Sequence, residues 1–147
     1  MLAENRSALK EWAAVEQALA AGRTTLLIRK GGIHERRRDF EVEHREFWLF
    51  PTLYHQNRHE LRPEFRPYLD AAEALPRDID RVRIEHYAVV HDALRVEELD
   101  VLKRLEGLHP LTEETVAQRF AYRGKPYLHA LVLRVYRMPE PYVIPNT

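Results

Sequence analysis

TTLLIRKGGIHERRRDFEVEHREFWLFPTLYHQ, residues 24–56, is the stretch that decides the fold of this chain. It opens with a β-branched and aliphatic run, Thr24–Lys30, which predicts a strand, and Gly31-Gly32 predicts a tight turn or bulge after it. Phe47–Phe50 is apolar on both faces and predicts a central strand that ends at Pro51. Cations, carboxylates and histidines fill the segment between the two strands. Simple packing needs none of them, so this stretch is also the candidate functional site.

The sequence on both sides of this stretch predicts further helices and strands. Ser7 is placed to cap a helix over Ala8–Ala21, and Gly22 supplies a left-handed stop. The later predicted elements are the helix Leu69–Leu75, the strand Arg81–His91, the helix Glu97–Glu106, a helix capped by Thr112 and running to Arg119, and the strand Tyr127–Met138, which Pro139, Pro141 and Pro145 end. We therefore expect a single α+β domain over residues 1–147, with a small mixed or antiparallel sheet or partial barrel of four to six strands and three to four helices.

Composition excludes several classes of protein. The chain has 147 residues, of which 45% are hydrophobic and 31% charged, as in ordinary folded proteins. The absence of cysteine excludes disulfides and thiolate metal sites, and no apolar run approaches the ~20 residues of a membrane span. The first residues lack the basic and apolar regions of a secretory signal. We expect a cytoplasmic bacterial protein without membrane association, and the sequence is compatible with a homo-oligomer.

The balance of charge is neutral, but its composition is uneven. Formal net charge is zero and the pI is about 7.1, so no global field draws the protein toward nucleic acid. Arginine makes up most of the basic set, and it forms bidentate contacts with phosphate that lysine does not. A GC-rich coding bias explains the same excess of arginine. The four lysines are Lys10, Lys30, Lys103 and Lys125.

The glycine pair and its neighbouring cations form a candidate phosphate site. Successive backbone amides at Gly31 and Gly32 make an anion-binding nest, and Arg29 and Lys30 place two cations beside it. The three arginines Arg36–Arg38 then form a loop tip that suits contact with a nucleic-acid backbone. The alternative interpretation is a tight hairpin with solvated charges.

Carboxylates and histidines in the same unit form a candidate metal centre. Glu35, Glu43 and Glu46 are candidate ligands for a divalent cation (Mg²⁺, Mn²⁺ or Ca²⁺) in a phosphodiesterase, where Lys30 would steady the developing charge and His34 would assist proton transfer. Whether Glu46 shares a face with Glu43 depends on the position of the suspected bulge. A polar outward strand face with cross-strand ion pairs is the alternative.

A third candidate segment is His55-Gln56-Asn57-Arg58-His59. Its two histidines have the spacing of a zinc protease helix, but Gln56 occupies the place of the general base, and an amide cannot accept the proton. The protease interpretation is therefore rejected. His55 stays a candidate catalytic residue and Gln56 a candidate ligand-binding residue. Tyr122, Tyr127 and Tyr136, near Arg123 and Arg134, either stack bases or pack in the core and at an interface.

Several longer motifs resemble a known bacterial family. They are Lys10-Glu11-Trp12-Ala13, Arg29-Lys30-Gly31-Gly32-Ile33, Phe50-Pro51-Thr52 through His55-Gln56, His109-Pro110-Leu111-Thr112, Arg119-Phe120 and Leu133-Arg134-Val135-Tyr136-Arg137. Together they cover most of the chain and resemble the family catalogued as domain of unknown function 1802. That resemblance implies no particular activity, cofactor or catalytic residue.

The opening of the chain is similar to a second group, the ASCH and PUA-like domains. The likeness consists of a helix, then Ala20–Thr25, then a strand that ends in Arg29. Arg23 stands where those domains usually have lysine, and Ile28 where they have an acidic residue. The resemblance implies a small α+β barrel of a kind that often binds RNA or modified nucleotides.

These observations lead to two hypotheses of different class. The first is a nucleic-acid or nucleotide-binding domain that, with a divalent metal, cleaves phosphodiester bonds. The second is a non-catalytic interaction or regulatory module in which the same residues form a structural polar core. Neutral charge favours the second, and the clustering of charge around Gly31-Gly32 favours the first.

Overall fold

The computed structural model describes residues 8–30, 46–53, 57–75 and 80–145. The strands in these ranges are β1 (Ala8–Trp12), β2 (Leu26–Arg29), β3 (Glu46–Thr52), β4 (Arg81–Val96) and β5 (Leu128–Pro145). The α-helices are α1 (Ala13–Ala20), α2 (Arg66–Ala74), α3 (Leu99–Arg104) and α4 (Glu113–Ala121), and short 3₁₀ turns lie at Arg58–Glu60, Pro63–Phe65 and Tyr122–Gly124. The α+β class predicted from the sequence is confirmed.

All five described strands belong to one open, mixed sheet in the order β1-β3-β4-β5-β2. β1 runs parallel to β3, and every other neighbouring pair is antiparallel. β4 and β5 form a long ribbon with register shifts between Ile84 and His86 and between Val90 and Asp92. β3 pairs with β4 on one side of this ribbon, and β2 pairs with β5 on the other side. The short strands β1 and β2 are therefore the two outer strands of the sheet.

The two outer strands of the sheet are joined by one side chain. Nη1 of Arg29, the last residue of β2, donates to the carbonyl oxygen of Lys10 at 2.8 Å and to Oε2 of Glu11 at 2.9 Å. Lys10 and Glu11 lie on β1, at the opposite end of the strand order. The sheet therefore curves until its edges approach each other, as in a partial barrel, although no backbone ladder between described residues closes it.

The two faces of the sheet have different surroundings. Buried leucines Leu49 and Leu131 lie on the core face, where α1 packs with Val15 and Leu19. Alternation along β4 sends every second side chain to the opposite side. That opposite side, here called the outer face, carries the partly exposed Trp48 of β3, Tyr87 of β4 and Tyr136 of β5.

The first predicted helix is wrong over its first five residues. Ala8–Trp12 is a strand, and the helix spans only Ala13–Ala20. Along β1 the buried residues Leu9 and Glu11 alternate with more exposed neighbours, and β1 pairs with β3 from Ala8 to Trp12. Backbone pairing along an open sheet edge therefore outweighs the helical spacing of the apolar residues. The stop is as predicted, since Gly22 has φ +73°.

The prolines do not end the last strand as predicted. β5 continues to Pro145, and β3 likewise runs one residue past Pro51 to Thr52. Pro139 and Pro141 fall in the register shift between Arg137, opposite His86, and Tyr142, opposite Ile84. A proline has no N–H to donate to the neighbouring strand, and no residue between Arg137 and Tyr142 is paired with β4.

Other predicted elements are confirmed with shifted ends. Thr112 caps α4, because its Oγ1 accepts from the backbone N–H of Thr115 at 3.2 Å. α3 lies inside the predicted helix Glu97–Glu106, and β4 begins at Arg81 as predicted but extends to Val96. Within the described ranges, no helix has the length and apolar content needed to cross a membrane.

Candidate functional site

Arg29 is half-buried between the two outer strands. Its guanidinium forms a salt bridge with Glu11, and the two side chains are 18% and 10% exposed. A pair this well shielded from water is stronger than a surface ion pair, because less solvent screens it. The structure thus gives Arg29 a clear role in holding the sheet edges together.

Lys30 is held by main-chain oxygens just beyond β2. Its Nζ donates to the carbonyl oxygens of Phe120 and Tyr127, both at 2.9 Å, and to that of Lys125. The same ammonium lies 4.4 Å from the centre of the Tyr127 ring. Phe120 is in the last turn of α4, where unpaired carbonyls favour a cation. Lys30 therefore ties β2 to the end of α4 and to the start of β5.

Arginines lie over aromatic rings around the same point. The guanidinium carbon of Arg95 is 4.0 Å from the centre of the Tyr127 ring. Arg119 and Arg123 lie 5.3 Å from the rings of Trp12 and Tyr122 respectively. Together these side chains form what we call the basic end: Arg29, Lys30, Arg95, Arg119, Arg123, Lys125, Trp12, Tyr122 and Tyr127.

Not all cations of the basic end are neutralised. Arg95 pairs with Glu97 at 2.9 Å, as Arg29 does with Glu11. Arg119, Arg123 and Lys125 form no ion pair with any residue in the part of the chain that the structure describes. The basic end therefore carries positive charge that faces solvent, next to exposed and half-buried aromatic rings.

A buried acid–imidazole pair links α1 to β4. Nδ1 of His86 and Oε1 of Glu16 are hydrogen-bonded at 2.7 Å, and both side chains are over nine-tenths buried. Burial raises the pKa of Glu16, and the hydrogen bond to His86 opposes that rise. Oε2 of Glu16 has no hydrogen-bond partner within the described ranges. The sequence analysis missed this pair; the one signal was a histidine within the apolar alternation of β4.

His109 is a second buried histidine. The backbone N–H of Leu111 donates to its Nδ1 at 3.2 Å, so the neutral ring carries its proton on Nε2. Burial, together with the positive charge of Arg62, lowers the pKa of His109 from 6.5 to about 4. The ring lines a small cleft between α3 and α4 whose other walls include Leu99, Leu102 and Val116. His109 thus stays neutral near pH 7 and acts in packing.

Three of the site residues predicted from the sequence lie in described parts of the chain. Arg29 and Lys30 are adjacent at the basic end, as described above. Glu46 begins β3, opposite Val89 of β4, and two strands separate β3 from β2 in the sheet order. The others lie outside the described residues and stay predictions: Gly31, Gly32, His34, Glu35, Arg36, Arg37, Arg38, Glu43, His55 and Gln56. Among described residues, no three histidine, aspartate or glutamate side chains are grouped so as to hold a metal ion.

Comparison with solved structures defines the class of fold. The chain is similar to ASCH from Zymomonas mobilis, with 16% identity and a TM-score of 0.51 over 91% of this chain and 68% of that one. A single-site mutant of the same ASCH protein gives 15% identity and a TM-score of 0.50, over 95% and 73%. The ASCH-like fold expected from the opening of the chain is confirmed.

The family is shown by the sequence itself. The chain belongs to the family described as domain of unknown function DUF1802, whose model matches residues 8–147. No curated protein matches it. The predicted family resemblance is therefore confirmed.

Proposed function

We propose that this protein binds RNA at the basic end. The observation that supports the proposal is the grouping of Arg119, Arg123 and Lys125, unpaired within the described residues, beside aromatic rings. Phosphates supply the negative charge for such cations, and bases stack on such rings. The ASCH-like fold adds support, since the resemblance drawn from the sequence implies RNA or a modified nucleotide as ligand.

The packing of arginine on aromatic rings suits this role. A guanidinium lying over a ring is held in a fixed plane, while its N–H groups around the rim stay available to oxygen atoms. Arg119 over Trp12 has this arrangement at 5.3 Å. Because the chain as a whole is neutral, the attraction is local, and we expect it to fall steeply with salt.

The predicted phosphate nest begins at the basic end. Gly31-Gly32 follows Lys30 directly in the chain, and the arginines Arg36–Arg38 come a few residues later. We include these amides and guanidinium groups in the proposed interface. Lys30 then serves to position this segment, because three carbonyl oxygens already hold its ammonium group.

The hypothesis drawn from the sequence also includes cleavage of the bound RNA. It assigns metal binding to Glu35, Glu43 and Glu46 and proton transfer to His34 or His55. We retain it as a hypothesis about activity, separate from the binding that the basic end supports. The same purified protein tests both.

The test is fluorescence anisotropy with labelled single-stranded and hairpin RNA and with DNA of the same sequences. Arg119→Glu is compared with Arg104→Glu, since both arginines lie near the C-terminal end of a helix and Arg104 lies outside the basic end. We expect Arg119→Glu to weaken RNA binding roughly tenfold or more and Arg104→Glu to change it less than about twofold. Equal effects of the two variants would refute the assignment of the basic end.

Cleavage is followed on gels with Mg²⁺, Mn²⁺, Ca²⁺ or EDTA, with Glu35→Ala alongside. Metal-dependent products that Glu35→Ala abolishes would establish a nuclease. Binding without products would leave a binding module. If the protein neither binds nor cleaves RNA or DNA, the proposed function is wrong and the interaction-module hypothesis takes its place.

A further inference from the structure

Three aromatic side chains form a row across three neighbouring strands of the outer face. The sheet register places Trp48 opposite Tyr87 and Tyr87 opposite Tyr136. The rings of Tyr87 and Tyr136 are stacked, with centres 5.1 Å apart and planes 16° from parallel. Trp48 meets Tyr87 edge to face at 6.3 Å. We call this set the aromatic row.

The aromatic row is not part of the hydrophobic core. None of its members belongs to the buried cluster or to the apolar side chains packed against it. Tyr136, at the end of the row, is 37% exposed. Trp48 and Tyr87 are half-buried, so Tyr136 is the member of the row most accessible to a ligand.

One face of the Tyr136 ring is covered by Tyr87, and the other points away from β4, toward the β2 side of the sheet. β2 pairs with β5 only at residues 129–132, with one further bond from Leu133, so in the described ranges no strand lies beside β5 at Tyr136. A flat group could therefore stack on Tyr136 and continue the row by one ring.

The charge beside Tyr136 is positive. Arg134 and Arg137 are both exposed, and neither forms an ion pair with a described residue. Arg134 lies two residues from Tyr136 and therefore on the same face of β5, whereas Arg137, opposite the buried His86, lies on the other face. An aromatic surface flanked by an unpaired arginine suits a ligand with flat bases and a polyanionic backbone.

We propose that the aromatic row binds single-stranded RNA, with an unpaired base stacked on Tyr136 and the backbone against Arg134. This inference rests on the proposed function and deepens it by naming the form of RNA. Bases in a duplex are already stacked on each other, so only an unpaired segment offers a free face to Tyr136.

The outer face also provides a path from the aromatic row to the basic end. Phe50 lies two residues beyond Trp48 on β3, and the ammonium group of Lys10 lies 5.3 Å from its ring centre. Trp12 lies two residues beyond Lys10 on β1 and carries Arg119 of the basic end. Alternating rings and cations thus run along one side of β3 and β1, as a single strand of RNA would need.

The test compares Tyr136→Ala with Tyr142→Ala by fluorescence anisotropy. Tyr142 is a tyrosine on the same strand, 64% exposed and outside the aromatic row. The probes are a labelled 12-nucleotide single-stranded adenine RNA, the same RNA with abasic sites, and a blunt-ended hairpin. We expect Tyr136→Ala to weaken binding of the adenine RNA by roughly fivefold or more, with less than about a twofold effect on the other two probes.

Tyr136→Phe and Arg119→Glu complete the design. Tyr136→Phe keeps the ring and should bind as the wild type does, whereas Tyr142→Ala should change nothing. If Tyr136→Ala binds every probe normally while Arg119→Glu weakens them all, the inference is wrong and the proposed function stands. If the wild-type protein binds no RNA, both are wrong.

Discussion

Two cations of the basic end and one beside the aromatic row have opposite environments. At the basic end, Arg29 and Lys30 are bound to a carboxylate and to carbonyl oxygens. Beside the aromatic row, Arg134 is exposed and has no ionic partner in the described ranges. Arg29 and Lys30 stand next to Gly31-Gly32 in the sequence, yet the fold uses both for its own contacts. Cations beside a glycine pair are therefore not always available to a ligand. Charge in a sequence becomes binding capacity only where the fold leaves it unsatisfied.

The largest expected effect is on stability, and it tests whether Lys30 is a structural cation. Lys30→Met removes the charge and leaves three carbonyl oxygens short of a donor, which should lower the free energy of unfolding by about 3 kcal/mol. Lys125→Met, an exposed lysine nearby, should cost less than about 0.5 kcal/mol. Urea unfolding measures both. Unchanged stability in Lys30→Met, with RNA binding lost, would make Lys30 a ligand contact instead.

A pH series distinguishes a buried histidine from an exposed one. The pKa of His109 is lowered in the folded state from 6.5 to about 4. The contribution of its neutral ring to the free energy of unfolding is therefore full above pH 6.5 and is lost as pH falls toward 4. Relative to His109→Asn, the wild type should lose up to about 3 kcal/mol of unfolding free energy between pH 7 and 4. The exposed His91, replaced by Asn in the same way, is the control for the substitution itself. A constant difference between the wild type and His109→Asn would contradict the assignment.

Glu16 has the opposite dependence on pH. Burial raises its pKa, so its contribution to stability is full below 4.5, its usual pKa, and falls as pH rises through the folded value. Glu16→Gln keeps the shape without the charge, and we expect it to gain stability relative to the wild type as pH rises from 4.5 to 7. Denaturant unfolding at the two pH values measures the change. A relative loss would mean that the ionised pair with His86 stabilises the fold.

The smallest effect on stability is expected for the exposed arginines Arg134 and Arg137 of β5. Arg134→Ala and Arg137→Ala remove exposed charges, and each should change the free energy of unfolding by less than about 0.5 kcal/mol. Arg134→Ala should nevertheless weaken single-stranded RNA binding and lower its salt dependence, since fewer phosphate contacts release fewer counterions. Arg137→Ala, on the opposite face of β5, is the matched control and should change binding less than about twofold. Unfolding and anisotropy at several salt concentrations give both quantities. Unchanged salt dependence in Arg134→Ala would remove this arginine from the interface.

Much of the fold could be predicted because its signals are local. The alternation of β4 and the Thr112 cap of α4 depend on neighbouring residues, and both are confirmed. Ala8–Trp12 was missed because its conformation depends on β3, about forty residues later in the chain. No local pattern reports such a pairing.

The candidate site was less predictable for the same reason. The position of Arg29 and Lys30 beside one another follows from the sequence, but their partners Glu11 and Tyr127 come from distant segments. The stacking of Tyr87 on Tyr136 depends on the register between β4 and β5. Tyr136 lies outside the buried core, and base stacking, one of the alternatives that the sequence offered for it, is the proposal tested above.

The prolines in the register shift of β5 have a consequence for association between molecules. An exposed strand edge with regular N–H and C=O groups invites the edge of another chain and, from there, aggregation. Pro139 and Pro141 have no N–H, and the irregular stretch that holds them interrupts the spacing of the remaining groups. A strand from a second copy could not extend the sheet along this part of β5. The register shift that lets the strand continue past two prolines thus also keeps its outer edge from pairing with a strand of another molecule.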